Sequence, residues 1–366
     1  MDKKFVVSKA DIQNNVKVIK EKVNDARIYA VLKGNAYGMG LTHFAKALYD
    51  CEIRYFALTS LDDAIVVKNE LCDCSVLLLT PCQTKNDIEA AILNDIVLSV
   101  DNLKNGKDIA KIAKEHAKEA KIHIKIDTGM GRYGFLPSQI DEIEKVCRLK
   151  NIFVEGIFTH LHSAFNMNEK TSIIQFKEFE GVINALKDKN IEFEVSHICN
   201  STAIFRFPQM HLTAVRAGSA LIGRANATCG ATNLCKVGNL YGTVTDIRTI
   251  PKGHNVGYAA LYKAKNDQKI ACVNVGYADG VAVAKINDTF RFIDILRYMY
   301  NDFKLLFNKN DIYCIYKGQK LKSIGRIGMT NLVLEIDNDC KIKVGDTVEV
   351  PVNPIYLSPN IKREYK

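Results

Sequence analysis

No apolar run in this 366-residue sequence approaches the ~18 residues needed to span a bilayer. The densest stretches, such as Ser75–Thr80, are strand-sized. Basic residues open the chain (MDKKFVVSKADIQ), but no apolar h-region follows, so no signal peptide is expected. The eleven cysteines are odd in number and irregularly spaced, which argues against a disulfide framework. Cys72 and Cys74 form a lone C-x-C pair without a second pair at zinc-ligand spacing, so no metal site is expected. A basic stripe interleaved with aromatics is also missing. The net charge is +9, but 41 acidic residues are interspersed among 50 lysines and arginines. The pI of 8.8 falls short of the roughly >9 of a nucleic-acid-binding domain. The expectation is a cytoplasmic chain with reduced thiols, no nucleic-acid or membrane partner, and a surface compatible with small anions.

Hydrophobic residues make up 47% and charged residues 25% of the chain, values ordinary for a globular protein. At ~150 residues per domain, the length suggests two domains. Over the first 220 or so residues, short β-rich runs alternate with helical patterns. The strand candidates are Ile28–Lys33, Tyr55–Ser60, Val76–Thr80, Ile96–Val100, Lys121–Ile126, Val154–His160, Glu194–Cys199 and Ala214–Gly218. Between them lie helices such as Thr42–Cys51, Leu61–Glu70, Lys104–Glu119 and Glu169–Lys187. The last carries a stripe of Ile173, Ile174, Phe176, Phe179, Val182, Ile183 and Leu186. Eight strand–helix units imply parallel strands closing into a (β/α)₈ barrel. The rhythm breaks near Asn226–Asn239. Beyond it, short alternating runs with turn signals indicate an antiparallel β domain, interrupted by one helical pattern over Phe290–Phe307. The expected domains are 1–235, an α/β barrel, and 236–366, a mainly antiparallel β domain.

Catalytic groups in such barrels lie at the C-terminal strand ends. The polar residues there are Lys33, Ser60, Thr80, Ser99, Lys125, His160, Asn200 and Arg216. Lys33 ends an apolar strand and precedes Gly34-Asn35-Ala36-Tyr37-Gly38. A desolvated lysine near other cations becomes a nucleophile for carbonyl compounds, although a lysine snorkelling to solvent would look the same. Asn200-Ser201 and Gly218-Ser219 follow the last two strands, where phosphate sites recur in this fold. Taken alone, Asn200 is equally a helix N-cap. Together, a first-strand lysine and a phosphate cradle point to pyridoxal phosphate.

Seven motifs in order then carry a resemblance. They are Ala30–Gly38 (AVLKGNAYG), Lys125–Phe135 (KIDTGMGRYGF), Glu155–His160 (EGIFTH), Cys199–Ala203 (CNSTA), Val215–Gly223 (VRAGSALIG), Val256–Tyr262 (VGYAALY) and Gly276–Gly280 (GYADG). Along nearly its whole length the chain resembles the alanine racemases, pyridoxal-phosphate enzymes that supply D-alanine for peptidoglycan. The resemblance implies that Lys33 holds the cofactor and is the base for the D-enantiomer, and that Tyr258 is the base for the L-enantiomer. Tyr37, Asn200, Ser201, Gly218 and Ser219 would bind the cofactor. Arg216 would face its pyridine nitrogen, with His160 linking Arg216 to Tyr258. Arg132 and Met329 would bind the substrate carboxylate, and Lys125 would be carbamylated to orient Arg132. A homodimer with Lys33 and Tyr258 of one site drawn from different subunits is also implied.

The chain departs from the family pattern in four places. GYADG continues as Val281-Ala282-Val283. In Gly325–Asn331 (GRIGMTN) only Met329 is kept, with Gly328 and Thr330 replacing cysteine and aspartate. The Phe290–Phe307 helix is an insertion. Asn353 is expected where the family has a second active-site tyrosine, which would leave a roomier, more polar pocket. That last feature resembles the serine racemases of vancomycin-resistance systems, the first alternative. Barrel-type decarboxylases of basic amino acids are a second, but their glycine-rich phosphate loop is not found and Tyr258 would have no role. A cofactor-binding single barrel is a third, and the ~130-residue β domain argues against it.

Overall fold

The computed structural model describes residues 2–71, 73–225, 230, 233–285, 292–305 and 311–366. Cys72, much of the stretch where the strand–helix rhythm breaks, and the flanks of the helix expected over 290–307 lie outside the described residues. The chain divides into two compact units. One is Ser8–Val237; the other is Gly238–Lys366 together with the residues up to Val7.

After β1 (Lys4–Val7), which belongs to the second unit, eight parallel strands close into a barrel. They are β2 (Arg27–Val31), β3 (Tyr55–Leu58), β4 (Ser75–Leu78), β5 (Val97–Val100), β6 (Ala120–Lys125), β7 (Ile152–Phe158), β8 (Val195–His197) and β9 (Ala214–Ala217). The ring closes where Arg27–Ala30 pair with Ala214–Ala217. Strands such as YFAL and SVLL are almost continuously apolar because helices cover their outer face while the barrel interior covers the other. Tyr29, Val31, Ala57, Leu77, Val97, Val195 and Ala214 pack together inside. Each expected strand is present, most of them trimmed by one or two residues at the polar end.

Turns at the strand ends are fixed by local chemistry. Ser60, Thr84 and Asn102 open the helices Leu61–Glu70, Lys85–Leu93 and Leu103–Glu115, each side-chain oxygen accepting a backbone N–H three residues on. The helix Lys170–Lys187 keeps part of its expected face and departs from it in the first turns. Its buried residues are Ser172, Gln175, Phe179, Val182 and Leu186, while Ile173 and Ile174 are exposed. Gln175 takes the inner position because it is a clamp. Its Nε2 donates to Thr128 Oγ1 at 3.1 Å and to His160 O at 3.2 Å, and its Oε1 accepts the His162 N–H at 3.2 Å.

The second unit is a curled, mainly antiparallel sheet. Its strands are β1, β10 (Gly238–Ile250), β13 (Gln268–Val273), β14 (Tyr313–Tyr316), β15 (Gln319–Ile324), β16 (Leu332–Ile336), β17 (Thr347–Val350) and β18 (Lys362–Tyr365). Between β10 and β13, β11 (Asn255–Val256) and β12 (Tyr262–Lys263) form a small hairpin of their own. The sheet order is β13-β16-β15-β14-β17-β10-β1-β18, and β10 also pairs with β13, so six strands form a ring. β1 lies antiparallel to β10 and parallel to β18. A helix spans Phe292–Leu305, within the expected stretch.

Candidate active site

A cavity of about 600 Å³ opens at the C-terminal ends of the barrel strands. Six of the eight strand-end residues picked out in the sequence line it: Lys33, Thr80, Lys125, His160, Asn200 and Arg216. Ser60 and Ser99 do not. Ser60 caps a helix, so its neighbour Thr59 faces the cavity instead. Ser99 is buried and donates to Leu78 O at 2.6 Å.

Lys33 stands at the start of an unusual turn. Gly34, Asn35, Ala36 and Tyr37 have φ of 63°, 53°, 53° and 55°, a left-handed run in which each non-glycine residue costs roughly 1–2 kcal/mol. Hydrogen bonds hold it: Ala36 N–H to Leu32 O at 2.9 Å, Gly38 N–H to Gly34 O at 3.0 Å, and Leu41 N–H to Asn35 Oδ1 at 2.8 Å. The turn brings Tyr37 against Gly218, where any Cβ would collide with the phenol oxygen. Crowding by protein and the nearby Arg132 lower the pKa of Lys33, which favours its nucleophilic, uncharged form.

The loop after β6 carries Arg132. Asp127 Oδ1 accepts the Gly129 and Gly131 N–H groups at 2.9 and 3.1 Å, and Phe135 N–H returns to Lys125 O at 2.9 Å. Lys125 itself is buried over the Phe158 ring, 4.3 Å from its centroid. Burial, then Arg216 and Arg132, bring its pKa down to about 7. Among the described residues no carboxylate forms an ion pair with it.

At the last two strands, Asn200 caps the helix Ser201–Arg206, its Oδ1 accepting the Thr202 and Ala203 N–H groups at 3.1 Å. Ser201 Oγ accepts the Gly218 and Ala220 N–H groups at 2.9 and 3.2 Å. This gathers hydroxyl and amide groups of both loops, Ser219 included, at one edge of the cavity.

Arg216 is almost wholly buried, and its donors can be counted. Nη1 donates to His197 Nδ1 at 2.6 Å and to His197 O at 3.2 Å. Nη2 donates to Thr159 O at 2.7 Å, His160 Nδ1 at 3.1 Å and Ile198 O at 3.2 Å. Only Nε–H has no protein acceptor among the described residues. Burial pulls Arg216 down to about 10, so it remains a cation at neutral pH. The same burial, with Arg216 next, holds His160 and His197 well below the usual histidine range, hence neutral. Sequence reasoning misses His197. The available signal is a histidine in an apolar strand whose period-2 alternation turns it inward.

Tyr258 and Met329 lie in the second unit, 72% and 57% exposed, on loops that interlock. Gly257 packs on the Arg326 backbone and Gly276 on that of Gly328 and Met329. Tyr277 N–H donates to Gly328 O at 3.1 Å, and Ala278 N–H to Met329 O at 3.0 Å. Gly280 abuts Tyr356 O. Asn353 Oδ1 accepts the Ile355 N–H at 3.3 Å, capping the turn Pro354–Tyr356.

These features define a (β/α)₈-barrel enzyme joined to a mainly antiparallel β domain. Family models match both parts: "Alanine racemase, N-terminal domain" over residues 7–226 and "Alanine racemase, C-terminal domain" over 237–354. The chain belongs to the alanine racemase family, a family of isomerases. It is 31% identical over 345 residues to an alanine racemase of Methanococcus maripaludis, covering 93% of this chain and 86% of that protein. Identity to the Clostridium tetani alanine racemase is 32% over 341 residues, covering 91% and 82%. A solved alanine racemase from Clostridium difficile 630 superposes with a TM-score of 0.87 at 26% identity, covering 100% and 96%. The alanine racemase of Bartonella henselae with covalently bound pyridoxal phosphate shares the fold, with a TM-score of 0.82 at 22% identity over 100% of both chains.

Proposed function

We propose that this protein interconverts L- and D-alanine with pyridoxal phosphate as cofactor, supplying D-alanine for peptidoglycan. The observation that carries the reading is Arg216, whose four terminal N–H groups are spent on protein acceptors while Nε–H is left at the cavity. A donor without a protein acceptor at a cavity wall is free for a ligand, and a pyridine nitrogen can accept it. The other groups fit as well. Lys33 supplies an amine with a lowered pKa, and Gly218, lacking a side chain, lets the Tyr37 phenol sit against it at the cavity.

Lys33 would hold the cofactor aldehyde, Tyr37 would line its ring, and Asn200, Ser201, Gly218 and Ser219 would surround its phosphate. Pyridoxal phosphate, when bound, supplies the electron-withdrawing ring that makes the substrate α-proton removable. Racemisation then needs a base on each face. Lys33 Nζ takes or returns the proton of the D-enantiomer, and Tyr258 Oη that of the L-enantiomer. Arg216, a cation at neutral pH, would offer its Nε–H to the pyridine nitrogen and leave it unprotonated, which would disfavour transamination. His160 ties Arg216 to the Tyr258 side. Arg132 and the Met329 N–H bind the substrate carboxylate. Lys125, a good part of it uncharged at neutrality, would add to carbon dioxide, losing a proton and forming a carbamate that orients Arg132.

The test is solvent deuterium exchange into L-alanine, followed by optical rotation. Exchange that decays to a racemic mixture, abolished in Lys33→Ala, is the expected result; exchange without racemisation rejects the reading. A serine racemase on the same scaffold is the second reading, resting on Asn353 at the position where the family has a tyrosine. The ratio of L-serine to L-alanine turnover decides between them, and Asn353→Tyr should lower it.

A further inference from the structure

Buried Arg216 has no carboxylate beside it among the described residues; its partners are carbonyls and imidazoles. A desolvated cation without a counter-charge is costly. Its compensation can be followed through the barrel. His197 Nδ1 accepts from Arg216, and His197 Nε2 lies 3.0 Å from His123 Nδ1. His123 Nε2 lies 3.4 Å from Glu155 Oε2, close enough for electrostatic attraction but without hydrogen-bond geometry, and both atoms are buried with no hydrogen-bond partner among the described residues. Glu155 Oε1 then accepts from Arg27 Nη1 at 3.2 Å, and Arg27 Nη2 donates to Glu194 at 2.7 Å. Arg27 is the first residue of β2 and Glu194 precedes β8, so the row ends at the barrel mouth opposite the cavity.

The two ends fix the direction of both hydrogen bonds and the polarity of the last contact, His123 to Glu155. An arginine can only donate, and an ionised carboxylate can only accept. His197 must therefore receive at Nδ1 and give its proton from Nε2 to His123 Nδ1, and His123 must point its own Nε2–H at Glu155. Any other tautomer sets two lone pairs or two protons face to face. Both rings are fully buried, and His197 is stacked on Phe158 at 5.0 Å and on Tyr29 at 5.2 Å. They have little room to turn.

We infer that Glu155 is a positioning residue for Arg216, acting through His123 and His197 as its remote counter-charge from the far end of the barrel. The carboxylate polarises the two imidazoles in series. It thereby strengthens His197 Nδ1 as an acceptor and holds the guanidinium with Nε–H toward the cavity. The inference rests on the reading that Arg216 faces the cofactor ring.

Two measurements test it. The first uses ¹⁵N-histidine-labelled protein without added cofactor and reads the tautomers directly. His197 and His123, assigned by single substitutions, should both be Nε2–H and neutral. A Nδ1–H tautomer at either position overturns the inference whether or not the protein is a racemase. The second compares Glu155→Gln, which keeps the shape but removes the charge, with Glu155→Asp, which restores it. With Glu155→Gln, the His197 imidazole signals and the absorbance of bound pyridoxal phosphate should both shift. Alanine kcat should fall roughly 10-fold, the low end for groups that orient a site's own ligands, with KM nearly constant, and Glu155→Asp should recover part of the loss. Lowered thermal stability with unchanged histidine signals and absorbance would make Glu155 purely structural and overturn the inference. Failure of the parent protein to bind pyridoxal phosphate or racemise alanine would instead reject the proposed function, leaving the tautomer result standing.

Discussion

Lys125 makes the sharpest claim at the scale of single residues. Its folded pKa of about 7 lies below the ordinary 10.5, so between those values the unfolded chain binds a proton that the folded one does not. Stability must therefore rise with pH across that window. Below pH 7 the folded protein carries a buried cation beside Arg216, and the cost is present in full; toward pH 10.5 it vanishes. Lys125→Met should accordingly be more stable than the parent below neutrality, with an advantage that shrinks as pH rises. Chemical denaturation in buffer free of carbon dioxide measures this. An advantage independent of pH would mean that the amine is not desolvated. Tyr258 is a second case. If it is the base for one face only, Tyr258→Phe should slow single-turnover exchange from L-alanine by roughly 10²-fold or more, with a smaller effect on D-alanine. Undiminished exchange of both enantiomers would remove Tyr258 from the mechanism. Lys33, Lys125, His160 and Arg216 are visible in the sequence because each is the polar residue at or near the end of an apolar run. His123 and His197 are not, since a histidine inside a strand gives no sign of what it meets across a barrel.

Among the elements, the barrel strands are legible because burial on both faces leaves continuous apolar runs. Their ends are less so. The short turn Lys33–Tyr37 has no periodic signature, and only Gly34 and Gly38 hint at its left-handed path. Periodicity places Phe179, Val182 and Leu186 of the helix Lys170–Lys187 inward correctly but fails in its first turns, where Ser172 and Gln175 are buried in place of Ile173 and Ile174. The Phe292–Leu305 helix forms as its pattern implies, yet Phe292 and Met299 remain 75% and 62% exposed. Periodicity reports that a stripe exists, not what covers it. The left-handed turn also yields a prediction. Ala36 is buried at φ 53°, a conformation that β-branched residues avoid. Ala36→Val should cost about 2 kcal/mol or more and weaken retention of pyridoxal phosphate, because the turn sets both Lys33 and Tyr37. Calorimetry and dialysis against cofactor-free buffer would show it; unaltered retention would mean that the turn does not position the site.

At the scale of the molecule, the proposed dimer has a counting test. If each site takes Lys33 from one chain and Tyr258 from another, Lys33→Ala and Tyr258→Ala chains are each inactive but a mixed dimer regains one intact site. In a random equal mixture roughly a quarter of the sites should work. Co-refolded chains with no activity, shown by sedimentation to be dimers, would place both bases of a site in one chain.

The placement of β1 has a consequence for synthesis. Its neighbours in the sheet are β10, after the whole barrel, and β18, near the end of the sequence. As the chain leaves the ribosome, β1 emerges before the barrel and is without either neighbour while the barrel is made. The barrel has all its strands long before the sheet does, so it can fold during translation. The sheet must wait for Lys362–Tyr365. A strand translated ahead of the whole barrel is among the last to find its place.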